Sequence, residues 1–204
     1  MKKLFALLLA VVMTLSLCAC GGGKPEEAAE KFAKAMIEND VKALYGMWCY
    51  NAEKLMKESV EEYAEDEDEM FEMFEYVYGA EIESWDDLYD AMQESTEEDL
   101  IDTYGEDYKI KVEIDDEDKM DEGDIDDVKD ALEDDYEDYI DEDKLDKVKK
   151  GYIYTVIVTI EGEEDEQEFE YEVSVIKYDG EWKIADYEDK TEYEDDYDEY
   201  FDEF

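Results

Sequence analysis

The run YIYTVIVTI, residues 152–160, carries apolar or β-branched residues on both of its alternate sets. Successive side chains of a strand point to opposite faces, so such a run needs cover on both sides. It predicts a central strand with helices on one face and a partly covered second face. That demand is severe in a chain with 69 Asp and Glu residues against 19 Lys and Arg. Charge on this scale is also the mark of disordered chains. Here 18 tyrosines supply apolar surface for a core.

The central strand has neighbours close in sequence. Glu161 to Asp165 read as a turn. FEYEVSVIK follows, with Phe169, Tyr171, Val173 and Val175 on one face. Asp179-Gly180 is a tight-turn signal, and Trp182 and Ile184 return as a last strand. These three strands predict an antiparallel meander. Upstream, YKIKVEI alternates Tyr108, Ile110, Val112 and Ile114 with charged residues, which predicts a half-buried strand. An acidic loop with Gly123 is expected next. Asp124 is then expected to cap a helix with Ile125, Val128, Leu132, Tyr136 and Tyr139 on one face.

The first part of the chain has helical spacing. Pro25 opens a helix, where its missing N–H is not needed. Ala28, Ala29, Phe32, Ala33 and Met36 form its apolar stripe. Asp40 caps a short second helix ending near Gly46. Leu55, Met56, Val60 and Tyr63 form a further stripe, and Met70, Phe71, Phe74 and Val77 another, stopped by Gly79. Glu65 to Glu69, all acidic, predict a bend between them. Ser84 and Thr96 are expected N-caps for segments ending near Gly105. The methionines on these stripes read as core filler, not as a cofactor box, and no cofactor is implied.

The chain begins MKKLFALLLAVVMTLSL. Leu4 to Leu17 carries no charge but is shorter than the roughly 20 residues that span a bilayer. It has the form of a secretory signal. Leu17, Cys18, Ala19 and Cys20 resemble the lipobox of bacterial lipoproteins. The resemblance implies a signal peptide over residues 1–19, cleavage after Ala19 and a lipid on Cys20. Residues 20–24 would then be a tether, with the protein held at the outer side of the cell membrane. Cys49 would be left without an intramolecular partner and is expected to pack as a small hydrophobe.

Removal of residues 1–19 leaves 17 lysines and 69 acids, a formal charge of about −52, with no Arg or His. Nucleic acid is excluded as a partner, because its phosphates would be repelled. Anionic lipid surfaces are disfavoured as well, while diffuse divalent cations and basic proteins are favoured.

The order of elements is helices, a strand, a helix and a three-stranded meander. Together with PEEAAEKFAKAMIENDVKALYGM and VSVIKYDGEWKIADYE, it resembles the α+β, cystatin-like fold of nuclear transport factor two-like domains. It is similar in particular to lipoprotein domains of unknown function with that fold. The resemblance places the domain at 25–187, with an acidic helical insertion near 60–105 and an acidic aromatic tail at 188–204. In that tail Tyr193, Tyr197, Tyr200 and Phe204 have helical spacing, but a solvated tail is the favoured reading. The resemblance implies a curved antiparallel sheet wrapped on a helix, enclosing a cone-shaped cavity. Met36, Trp48, Tyr152, Tyr154, Tyr171 and Trp182 are its candidate lining, and the aromatics among them could equally be core.

No catalytic residue is assigned. Enzymes of this fold commonly use an Asp or His base, but there is no His and no single Asp stands out. The segments 115–124 and 141–146 fail as calcium loops, because Met120 and Leu145 fall where ligands are needed. The expectation is a lipid-anchored, non-catalytic domain that binds a small ligand or a protein partner. An enzyme with an Asp base and Tyr donors, and a low-affinity divalent-cation binder, are the alternatives.

Overall fold

A computed structural model describes residues 23–61, 67–163 and 165–191. Residues 1–22, which include the expected signal segment and Cys20, and Tyr63, Glu65 and the tail aromatics Tyr193, Tyr197, Tyr200 and Phe204 lie outside the described residues. The chain order is α1 Pro25–Ile37, α2 Val41–Met47, α3 Ala52–Glu61, α4 Glu67–Tyr78, α5 Trp85–Tyr104 and β1 Lys109–Lys119. Then come α6 Glu122–Tyr136, α7 Glu142–Leu145, β2 Gly151–Glu161, β3 Glu166–Tyr178 and β4 Glu181–Asp189. The class is α+β.

The four strands form one open antiparallel sheet in the order β1-β2-β3-β4. Its register lines up apolar rows across neighbouring strands. Val112 faces Val158, which faces Phe169; Tyr154 faces Val173, which faces Tyr187. Helix α1 lies on this face. Ala29, Phe32 and Ala33 are buried against Tyr154, Val156, Val158, Val173, Val175 and Ile184. The two alanines let the helix approach closely. Phe32 meets Trp48 and Tyr187 edge-on at 5.2 and 5.3 Å. Trp48 in turn makes a parallel bridge to Ile184, which ties the end of α2 to β4.

The second face is covered at one end only. There α6 and α7 bury Ile125, Leu132 and Leu145 with Val148, Ile176, Tyr178 and Ala185. Gly151 sits at this crossing. A Cβ on it would run into the Met120 sulfur and lie 3.2 Å from the Val175 carbonyl. A third cluster, Met70, Phe71, Ile82, Leu88 and Ala91, belongs to α4, α5 and the turn between them. It forms a helical satellite beside the sheet core. Ser84 caps α5 by accepting from the Asp87 N–H, and Gly105 at φ +89° ends it.

Several local expectations are corrected. Residues 115–119 are strand, not loop: β1 continues to Lys119, and Asp116–Lys119 pair with Thr155–Tyr152 after a bulge past Ile114. An edge strand pairs through its backbone and leaves acids to solvent, so composition hid it. Helix α6 is capped by Asp121, which accepts from Gly123 and Asp124, while Asp124 is the reciprocal member of a capping box. Thr96 caps nothing; its hydroxyl donates to the Met92 carbonyl inside α5. Val77 is exposed, and Tyr78, half-buried, packs beside Phe74 against the cluster instead. Glu188 and Asp189, expected in the tail, extend β4.

Candidate functional site

A cleft of about 320 Å³ opens where α1, α2 and β4 meet. Each wall follows from local chemistry. Pro25 starts α1 and sets Lys24, Glu27 and Lys31 on one side of the opening. Asp40 starts α2 by accepting from the Ala43 N–H, which sets Lys42 and Met47 on another side. The Asp179-Gly180 turn sends β4 back so that Trp182 and Lys183 close the third.

Four of the chain's lysines therefore line one cleft, although acids outnumber cations more than threefold overall. The Lys183 ammonium donates to the Gly46 carbonyl at 2.7 Å and pairs with Glu181 at 3.3 Å. Lys42 is held at 2.6 Å from Asp90 and 3.5 Å from Asp86, both on α5. The Asp90 hydrogen bond leads in raising its pKa. Lys24 pairs with Glu26 at 3.0 Å, and that hydrogen bond raises its pKa as well. Both ammoniums stay charged at neutral pH. Lys31 makes no ion pair among the described residues. Trp182 forms the aromatic wall, with Tyr152 edge-on at 5.6 Å and the Lys177 ammonium 4.8 Å from its ring centroid.

Of the six residues expected to line a cavity, Trp182 lines this one. Tyr154 and Tyr171 are buried in the α1–sheet core, and Met36, Trp48 and Tyr152 pack against that core. Tyr152 links the two places, stacking on Tyr154 at 5.9 Å. The lysines were the missed component. Their signal was position: Lys24 and Lys31 are two helical turns apart on α1, in a chain where cations are scarce.

The Tyr154 hydroxyl is buried without a hydrogen-bond partner, and burial raises its pKa. Glu117, its cross-strand neighbour, is exposed. Glu26, a second acid acting on it, is held low by its own backbone N–H and by Lys24. Glu26 is therefore not the desolvated, proton-holding carboxyl that an acid–base pair with Tyr154 would need. Glu30 on α1 is half-buried, and burial, then Glu26 and Glu27, raises its pKa. Cys49 is a free, buried thiol pushed up to about 12 by desolvation, which makes it a poor nucleophile.

No group of three or more His, Cys, Asp or Glu side chains is gathered to hold a metal among the described residues. None of the described helices is long and apolar enough to cross a membrane. No protein-family model, curated protein or solved structure matches the chain.

Proposed function

We propose that the chain is a lipid-anchored extracytoplasmic lipoprotein whose nuclear transport factor two-like domain binds a ligand and performs no chemistry. The anchor reading is supported by the uncharged run Leu4 to Leu17 and the LCAC segment. The fold reading is supported by the order of helices, strand, helix and meander around α1. The observation that carries the binding role is the α1–α2–β4 cleft, where Trp182 and Met47 offer apolar wall and four ammoniums surround it. A few placed polar groups around an apolar wall are the usual form of a binding site.

Native mass spectrometry of the chain taken from its own membrane tests this reading. The expected result is added mass beyond the modified chain, lost in Trp182→Ala with Lys31→Gln. The melting temperature of the purified protein should also rise with small anionic compounds. No added mass, together with no thermal shift across such compounds, would contradict a binding role.

A further inference from the structure

We infer that the exposed face of α4 docks a basic amphipathic segment of a partner protein. This surface is separate from the α1–α2–β4 cleft, and its role depends neither on that site nor on the anchor. Four large apolar side chains are exposed among the described residues, and three of them, Met73, Tyr76 and Val77, lie on α4. Their spacing of three and four residues gathers them on one side of the helix. Phe71, Phe74 and Tyr78 turn the other way, into the satellite cluster. Tyr76 is 92% exposed and Val77 64%, so neither serves the core of this chain. Single apolar residues at a surface need no explanation. Three on one helical stripe are the pattern by which amphipathic helices dock on one another.

Charge selects the occupant. Between Lys57 and Lys109 the chain has 22 acids and no cation. Helix α4 itself contributes Glu67, Asp68, Glu69, Glu72 and Glu75. The lysines of neighbouring elements are engaged. Lys57 pairs with Glu53 at 2.7 Å and Lys54 with Glu58 at 3.6 Å, both within α3, and Lys42 pairs with Asp86 and Asp90 of α5. A second copy of the chain would set acids against acids across this face. So would the tail, whose residues 192–204 hold eight acids and no cation. A segment with Lys or Arg beside a stripe of Leu-type or Phe-type side chains meets both demands. Its apolar stripe covers Met73, Tyr76 and Val77, and its cations meet the flanking carboxylates. An Arg guanidinium also has the open Tyr76 ring on which to stack.

The test uses the chain from residue 20 onward, which holds every described residue, and two fluorescent peptides of identical Leu and Lys content. One places its leucines on a single helical stripe, and the other scrambles the same residues. Binding is followed by anisotropy at physiological ionic strength, where charge beyond about 8 Å is screened. The striped peptide should bind several-fold more tightly than the scrambled one and should slow hydrogen exchange in α4. Met73→Ser with Tyr76→Ser and Val77→Ser changes no charge and should abolish that preference. Tyr76→Ser alone, at the most exposed of the three positions, should remove part of it. Equal affinity for the two peptides, or a preference that survives the triple variant, would overturn the assignment and leave only general attraction to an acidic protein. A wild-type dimer that the triple variant lacks would overturn it in favour of a second copy. Faster exchange in α4 of a chain ending at Thr191 would do so in favour of the tail.

Discussion

The sheet core and the helical satellite use the same apolar residue types to different effect. In the sheet core, period-two strands place Tyr154, Val156, Val158, Val173 and Val175 in rows that α1 closes from above. In the satellite, α4 and α5 bury Met70, Phe71, Leu88 and Ala91 against each other, and α4 leaves Met73, Tyr76 and Val77 exposed. A chain this acidic excludes water from strands by alternation, because acids can occupy the other face or the edge. A helix with one apolar stripe is protected only where a neighbour covers that stripe, and α4 is covered on the side of Phe71 and Phe74 alone. Stability should therefore be uneven, with the satellite opening before the sheet.

The strongest way to break this contrast is a pair of core truncations. Phe32→Ala removes a fully buried ring from the α1–sheet contact and should cost about 3–5 kcal/mol. Denaturant unfolding should show the loss across the whole domain. Leu88→Ala, equally buried, should cost about 2–5 kcal/mol. Its hydrogen-exchange protection should fall in α4 and α5 while β2 and β3 stay protected. Equal loss in β2 and β3 would make the two regions one cooperative unit.

Alkaline pH sharpens the contrast from the sheet side. The Cys49 thiol, in the layer under α6 and α7, has a folded pKa of about 12 against 9.0 for the free group. Folding thus favours the protonated thiol, and more protons are bound folded than unfolded between these values. The stabilisation is complete below pH 9 and is lost as pH rises towards 12. Urea unfolding of wild type and Cys49→Ala at stepped pH should show a shallower alkaline loss in the variant.

The seam between the two regions is tested by Gly162→Ala. An added Cβ would meet the Tyr104 carbonyl and lie 2.8 Å from its Cα, and backbone cannot rotate away. A cost of about 1–3 kcal/mol is expected, read as a fall in melting temperature. No fall would show that the end of α5 is not packed on the β2–β3 turn. Asp121→Ala removes the cap of α6, which lies on the sheet side, and should cost about 1 kcal/mol. Millimolar Ca²⁺ should raise the melting temperature slightly more than NaCl of equal ionic strength. Equal shifts would reduce cation binding to screening.

Much of this fold was legible in the chain because its signals were local. The meander showed in the uninterrupted alternation of residues 152–160 and 169–175, and α1 in a proline followed by a helical stripe. The acidic half of β1 was hidden because backbone pairing at an edge asks nothing of side chains. Thr96 misled because a threonine that can cap a helix can also bond back to a carbonyl inside one. The cleft was the least legible part. Lys24, Lys42 and Lys183 come from three elements, and only the approach of α2 to β4 brings them together.

The central claim is that the domain is held at a membrane through Cys20. Intact mass spectrometry of the N-terminus of the protein purified from its own membrane decides that point. The expected species begins at Cys20 and carries the mass of a lipid on that residue. An unlipidated N-terminus, or one at any other residue, would contradict the anchored arrangement.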